Sequence, residues 1–382
     1  MPNLRKYLRP TALTKCWAIL VVLLLCCSYW CMGQMHPASA IKNKAASLPE
    51  KSFEAFWQTF EDHYAFFALR KIDWQATYQQ YRPRVNANTS DDSLFALFTE
   101  MVTPFADDHI SITIPGKNEF ELVKPSPFLK EFPGDSGEFD FWKMVGSALY
   151  KSGFDTLQTA GPIDDGKKLF YYTSSKDWGY IRISRCFVSE QTEGHPKKDA
   201  EEAGKMFDAI LQLLKNKKGI IIDNRMNGGG NDAFSYALAG RFATTKIPGH
   251  LKQTRIGGYE DFGPLEQWWL QPEGKSSYTG PLMLLTNDQT ASAAEIMEMA
   301  LKVLPQTKTI GENTTGIFSD MYFFKLPNKW EVSLSNQRYF SADNICYEGT
   351  GIPPDIKAVN TQKDLLTMTD PVLAAALAAL KK

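Results

Sequence analysis

The sequence has little of what metal, nucleotide and nucleic-acid sites require. Its 382 residues include five histidines and six cysteines, and no cysteine–histidine spacing resembles a zinc site. Neither the lysine and spacing of a nucleotide P-loop nor the G-x-G-x-x-G order of a dinucleotide fold is present. A formal net charge of −1 gives no basic surface for a nucleic acid. We therefore expect no metal, no cofactor and no nucleic-acid partner.

Acidic residues are missing from the first 49 positions, and this stretch has the layout of an export signal. Four basic residues come first, an apolar run over 17–27 follows, and Ala38-Ser39-Ala40 fits the small-x-small pattern of a cleavage site. Residues 1–40 are thus predicted to be a signal peptide, which places the protein in the periplasm or outside the cell. The alternative is an uncleaved segment, and only then would a membrane be a partner.

Cysteine is almost confined to the predicted leader. Cleavage after Ala40 would remove four of the six cysteines and leave Cys186 and Cys346. Two cysteines in an exported protein can pair, but a protein of this size does not need the bridge. A disulfide and two buried free thiols both remain open at this point.

Hydrophobic periodicity divides the rest of the chain into three segments. Over 41–114, aromatic residues from Phe53 to Tyr64 recur at helical spacing, a second helix starts near "SDDS", and a strand covers 110–114. This segment is predicted to be a helical subdomain. Residues 115–167 are rich in proline, glycine and acids, with a helix expected around 139–151. We expect this segment to be a connector or a lid.

Residues 168–382 alternate between short apolar strands and amphipathic helices. "GIIID" and "GPLMLLT" are near-continuous apolar runs, and each is followed by a loop and a helix. This alternation favours an α/β core with a mostly parallel sheet flanked by helices. The predicted fold is therefore this core with an N-terminal helical subdomain.

Two loops that follow apolar strands carry candidate chemistry. In "TNDQTASAAEI", Ser292 stands where a helix begins, so its hydroxyl would lie near unpaired N–H groups, including that of Ala293. Serine is also a common N-cap, and locally that simpler interpretation is favoured. In "DNRMNGGGND", three glycines expose backbone N–H groups that can hold an anion, although a tight turn explains them equally well.

A histidine and a glutamate complete the candidate set. His109 stands between a proline-terminated helix and an apolar strand, beside two aspartates. Such a setting suits a general base, and a structural histidine is the alternative. Glu348 lies in the glycine- and proline-rich stretch "CYEGTGIPPDI", where a surface turn is the local alternative.

Taken in order, these motifs resemble the S41 peptidases, which include the C-terminal processing proteases and the tricorn core. "TNDQTASAAEI" resembles the family's nucleophile motif, and "IIIDNRMNGGG" its strand and glycine loop. "WGYIRISRCF" and "YEGTGIPPDI" resemble the segments that open and close the core. "FADDHISI" resembles the end of the N-terminal region. The resemblance covers about residues 50 to 360 and implies a ClpP/crotonase-like core.

The resemblance also assigns roles to residues. It implies Ser292 as nucleophile and His109 as base, with Glu348 orienting the histidine. The oxyanion donors would be the N–H of Ala293 and that of Gly228 or Gly229. Ile317 stands where the processing branch has a lysine, and no "G-I-G" PDZ pattern occurs over 115–167, so the chain is similar to the tricorn-like branch.

The expected function is that of an exported serine peptidase acting on peptides or proteins. A non-catalytic protein on the same scaffold that binds peptides or hydrophobic ligands is the alternative, and aromatic residues at 13% are compatible with an apolar groove. Ester hydrolysis by the same serine is a third possibility, since esters and amides share an oxyanion intermediate. The sequence does not indicate an oligomeric state.

Overall fold

A computed structural model describes residues 35–382 of the chain. The predicted leader and its four cysteines lie almost wholly outside the described residues. Among those described, no helix is long and apolar enough to cross a membrane. Cys186 and Cys346 are both free thiols, the first buried and the second half-buried, so the two do not form a disulfide.

Twelve α-helices are described between residues 35 and 382. Their starts agree with local signals, since Ser47, Asp73, Ser90 and Asp370 each cap a helix with a side-chain oxygen. In chain order they are α1 Leu48–His63, α2 Phe67–Arg70, α3 Trp74–Tyr81, α4 Asp91–Val102, α5 Pro127–Glu131, α6 Gly134–Lys151, α7 Glu190–Glu193, α8 Pro196–Leu214, α9 Asp232–Ala239, α10 Ala293–Lys302, α11 Gln362–Thr367 and α12 Pro371–Leu380.

Fifteen strands are described in the same part of the chain, and they form three sheets. They are β1 His36–Pro37, β2 Ser111–Ile114, β3 Asn118–Glu121, β4 Gln158–Asp164, β5 Lys167–Ser174, β6 Trp178–Ile183, β7 Gly219–Asp223, β8 Ile247–Thr254, β9 Glu266–Leu270, β10 Leu282–Thr286, β11 Thr307–Gly311, β12 Met321–Lys325, β13 Glu331–Ser335, β14 Gln337–Phe340 and β15 Ile356–Lys357.

The central sheet has seven strands in the order β15-β11-β10-β7-β6-β5-β4. The first five are mutually parallel, and β5 and β4 are added antiparallel. Side chains of β7 alternate between two cores, with Ile220 and Ile222 packed toward α8, α9 and α10. Ile221 points to the other face, toward α6 and α12. The predicted α/β core with a mostly parallel sheet flanked by helices is confirmed.

A second sheet joins the N-terminal helices to a late part of the chain. Its strand order is β1-β12-β13-β2-β3, so β2 pairs with β13, more than 200 residues further along. One aromatic-rich core lies between this sheet and helices α1, α3 and α4. In the segment expected to be a connector or lid, residues 118–121 pair with β2, and α6 covers one face of the central sheet.

A third sheet, β14-β8-β9, packs on α9 through a buried Tyr236–His250 contact. The carboxyl ends of β7, β10 and β11 meet at one edge of the central sheet, because these strands are parallel. The loops after β7 and β10 are the glycine loop and the loop that leads to Ser292. This edge is where ligand sites of parallel sheets are usually found.

Candidate active site

Ser292 lies directly before α10 in a backbone conformation that is uncommon for an L-residue. Its φ is 54° and its ψ is −126°, in a region that glycine adopts easily and other residues adopt at a cost. The side chain is half-buried. Its hydroxyl stands in a capping box with Glu295, but it accepts no hydrogen bond of ordinary geometry from the helix. Ser292 therefore occupies the N-cap position with a hydroxyl that the helix engages only weakly.

The glycine loop contacts Ser292 closely. Gly229 has a φ of 99°, and a Cβ at this position would lie 2.7 Å from the Cβ of Ser292 and 2.9 Å from the nitrogen of Ala293. Any side chain at position 229 would therefore overlap with the serine. At Gly228 no atom lies within 4 Å of the corresponding Cβ position, and the residue is exposed.

The free N–H groups beside the serine can be identified from their hydrogen bonds. The N–H of Gly229 donates to the side-chain oxygen of Asn227 at 3.0 Å. Among residues 35–382, no acceptor is found for the N–H of Ala293 or of Gly228. Ala293 is the first residue of α10, so its N–H belongs to the positive end of a helix. The residue after Ser292 and the residue before Gly229 thus each carry a backbone N–H without a partner among the described residues.

His109 is positioned through its main chain. It is 6% exposed, its N–H donates to the carboxylate of Asp107 at 3.0 Å, and its carbonyl accepts from the hydroxyl of Ser333 at 2.8 Å. Asp107 also accepts from the hydroxyls of Tyr64 and Ser335. The loop that carries His109 is therefore tied to α1 and β13.

The His109 ring itself has free nitrogens. Its Nδ1 is buried, and within the part of the chain that is described it has no hydrogen-bond partner. Burial lowers the pKa of His109, while Asp107 and Asp320 oppose that change. The ring is therefore held in its neutral form, in which one nitrogen can accept a proton.

Glu348 is 2% exposed and bonds to groups other than His109. Its carboxylate accepts the N–H of Phe318 at 2.9 Å and faces the guanidinium of Arg70 at 3.4 Å. Burial, followed by the charge of Asp107, raises the pKa of Glu348 well above its usual value. No hydrogen bond among the described residues joins the ring of His109 to Glu348 or to Ser292.

The loop over 314–320 links the separate parts of the site. The N–H of Ser292 donates to the carbonyl of Ile317 at 3.1 Å, and the next residue, Phe318, donates to Glu348. Asp320, three residues after Ile317, is one of the acids that act on the pKa of His109. Ser292 and Glu348 are thus joined by hydrogen bonds to one loop, and His109 lies within the electrostatic reach of Asp320 at the end of that loop.

Lys124 forms a second connection across the same region. Its N–H donates to the carboxylate of Asp108, beside His109, at 3.1 Å. Its ammonium donates to the carbonyl of Thr315 at 3.2 Å. Residues 122–128 therefore cross between the histidine loop and the serine loop, where Ser126 also bonds to Asp288.

Sequence reasoning missed Glu295, which lies one turn after the serine. Its carboxylate is 0% exposed and accepts hydrogen bonds from both Ser292 and the 314–317 loop. A glutamate three residues after a serine at a helix start indicates a capping box, so the signal was present. Sequence alone did not show that a second loop also binds this carboxylate.

Similarity to known proteins agrees with this geometry. The model of peptidase family S41 matches residues 177–358, and the model of the tricorn protease C1 domain matches residues 49–103. The chain carries a peptidase family S41 domain over these residues. The two matched ranges contain Ser292 with the glycine loop and the N-terminal helices, so the resemblance to this family inferred from the motifs is confirmed.

A curated member of the family covers part of the chain. The carboxy-terminal processing protease CtpA of Bacillus subtilis (strain 168) is 30% identical over 188 residues, which are 49% of this chain and 36% of CtpA. The chain thus matches about a third of the length of this S41 relative. The activity, substrates and partners of the present chain are therefore stated below as proposals.

Solved structures extend the similarity to most of the fold. A proposed peptidase from Parabacteroides merdae ATCC 43184 superposes with a TM-score of 0.71 at 24% identity, covering 88% of this chain and 97% of that one. Mature CPAF in complex with lactacystin gives a TM-score of 0.59 at 13% identity, covering 87% and 98%. At these identities the similarity establishes the S41 fold.

Proposed function

We propose that this S41 protein is an exported serine peptidase that hydrolyses peptide bonds, with Ser292 as its nucleophile. The observation that carries the proposal is the Ser292 turn. A serine with positive φ and a hydroxyl only weakly engaged by the helix lies at a helix start against a glycine loop. Backbone strain clusters at functional sites, and a sharp strand-to-helix turn is a known way of presenting a nucleophile.

In the proposed reaction, His109 takes the hydroxyl proton as Ser292 attacks the peptide carbonyl. The negative charge on the carbonyl oxygen is stabilised by the free N–H groups of Ala293 and Gly228. Gly229 contributes by allowing the close approach, since its own N–H is bound to Asn227. His109 then protonates the leaving amine, and water hydrolyses the acyl-enzyme through the same histidine.

Glu348 has a supporting role in this scheme. It is held by Phe318 and Arg70. We infer that it acts on His109 indirectly, through the loop that carries Phe318. The substrate is a peptide or protein, as family membership implies, and the predicted leader would direct the enzyme out of the cytoplasm.

The proposal is tested with a fluorophosphonate probe and a diverse peptide library. The wild type should react covalently with the probe and cleave library peptides, and Ser292→Ala should do neither. His109→Ala should lower kcat by on the order of 100-fold or more, the usual contribution of a general base. Equal labelling of wild type and Ser292→Ala would refute the covalent role, and peptide binding without cleavage would favour the non-catalytic alternative.

A further inference from the structure

Glu295 is the most heavily hydrogen-bonded carboxylate near the proposed nucleophile. It lies in the first turn of α10 and is fully buried. Its oxygens accept from the N–H of Ser292 at 3.1 Å, the hydroxyl of Thr314 at 2.5 Å, the N–H of Gly316 at 2.7 Å and the N–H of Ile317 at 2.9 Å. These four donors match the lone pairs that a carboxylate offers.

The four donors belong to two different parts of the site. One is the main chain of the serine, and the other three lie on the 314–317 loop. Thr314 is bound in turn to the closing segment, since its hydroxyl accepts the N–H of Ile352 at 2.8 Å. Phe318, next along the loop, donates to Glu348. Glu295 is therefore the point at which the serine turn and the Glu348 segment are joined.

A second glutamate on the same helix provides a natural comparison. Glu298 lies one turn further along α10 and is also 0% exposed. Neither of its carboxylate oxygens has a hydrogen-bond partner in the described part of the chain, and burial raises its pKa well above the usual value. Burial also raises the pKa of Glu295, to about 7, while its four hydrogen bonds favour the ionised form. The two residues differ in their bonds and not in their burial.

We propose that Glu295 is a positioning residue that holds Ser292 in its strained conformation and fixes the 314–318 loop against it. This inference rests on the proposed role of Ser292 as nucleophile. A positive φ at a non-glycine residue persists only where the surroundings determine it strongly. The N–H of Ser292, which donates to Glu295, also donates to the carbonyl of Ile317. The serine turn is therefore bound directly to the loop that Glu295 also binds.

Glutamine at position 295 should disrupt this arrangement without changing the size of the side chain. Its amide offers one acceptor oxygen, and its NH₂ group would face main-chain N–H donors. The serine turn and the loop would then lose their common acceptor. Because small displacements of a catalytic group are costly, we expect Glu295→Gln to lower kcat by on the order of 100-fold. KM should change little, because Glu295 does not contact the substrate.

The test compares Glu295→Gln with Glu298→Gln. Both variants replace a buried carboxylate on α10 with an amide, and Glu298→Gln should retain the kcat of the wild type. The probes are the fluorophosphonate and one fluorogenic peptide that the wild type cleaves. Glu295→Gln should label Ser292 more slowly by a similar factor, while both variants keep the wild-type circular dichroism spectrum.

A second pair of variants serves if Glu295→Gln does not fold. Thr314→Val removes one of the four bonds and leaves the carboxylate in place, whereas Thr314→Ser keeps the hydroxyl. We expect slower labelling of Ser292 in the valine variant and recovery in the serine variant.

The outcomes separate this inference from the proposed function. If the wild type is not labelled at Ser292, the proposed function fails. If the wild type is labelled in a Ser292-dependent way but Glu295→Gln reacts as fast as Glu298→Gln, only the positioning role is overturned. Equal loss of kcat in both glutamine variants would also overturn it, because burial alone would then account for the effect.

Discussion

The backbone of Ser292 can be tested without any substrate. At a φ of 54° and a ψ of −126°, glycine is comfortable and alanine is strained. We therefore predict that Ser292→Gly unfolds at a higher denaturant concentration than Ser292→Ala, although both variants lack the nucleophile. Glycine normally destabilises a folded chain because it loses more conformational freedom, but at an N-cap it is already tolerated better than alanine. Only a difference larger than that at an ordinary N-cap is therefore a sign of strain.

The magnitude follows from the local geometry. Strain at a single residue in a sparsely populated region amounts to about 1–3 kcal/mol. At an ordinary N-cap, glycine is already better than alanine by about 0.5–1 kcal/mol, because serine-to-glycine changes are milder than serine-to-alanine changes. The two contributions together give an expected difference of about 1.5–4 kcal/mol at position 292.

Ser90 provides the matched site. It is the N-cap of α4, with an ordinary φ of −72°, so Ser90→Gly and Ser90→Ala should differ only by the N-cap contribution. Urea unfolding followed by circular dichroism gives the free energies for all four variants, provided that the transitions share one slope. If the glycine–alanine difference at position 292 does not exceed that at position 90, the serine turn is not strained in solution. The argument from strain to nucleophile would then lose its basis.

Three further predictions concern the surroundings of the serine. Gly229→Ala should abolish fluorophosphonate labelling, because the added Cβ would overlap with Ser292. Gly228→Ala adds a Cβ where no atom lies within 4 Å, so urea unfolding should show wild-type stability for this variant. Burial lowers the pKa of His109 below the usual 6.5, so the proposed base should stay neutral in mild acid. We therefore expect kcat/KM to fall only below pH 6.5. A pH profile in which the acid-side decrease of kcat/KM is centred above pH 6.5 would contradict this. Asp370→Asn should lower the free energy of unfolding by about 1–3 kcal/mol, because Asp370 pairs with fully buried Arg225 at 2.9 Å while Asp223 keeps the guanidinium paired. A variant as stable as the wild type would contradict the role of this second carboxylate.

Local patterns were sufficient for most of the α/β core. The apolar runs at β7 and β10 are uninterrupted up to the last residue of each strand, Asp223 and Thr286, as expected for strands covered on both faces. Asp370-Pro371 begins a helix as the start signal predicts. Ser292 and the glycine loop could be selected because each follows such a strand. In the structure, Gly229 of the glycine loop contacts Ser292.

Contacts between distant parts of the chain could not be inferred in this way. Arg70 and Glu348 form an ion pair across 278 positions, and nothing in the sequence around either residue identifies the other. The contact between Glu295 and the 314–317 loop could likewise not be predicted from the sequence. Its donors are mainly the backbone N–H groups of Gly316 and Ile317. Backbone donors carry no signal in the side-chain pattern.

The pairing of β2 with β13 affects the order in which the proposed site can be assembled. The carbonyl of His109 accepts a hydrogen bond from Ser333, so this bond cannot form before residue 333 is part of the folding chain. A chain emerges from its N-terminus, and domains generally fold as units. The segment with His109 is therefore made early, and the strand that holds it is made late. A fragment that ends before β13 would lack this support for His109.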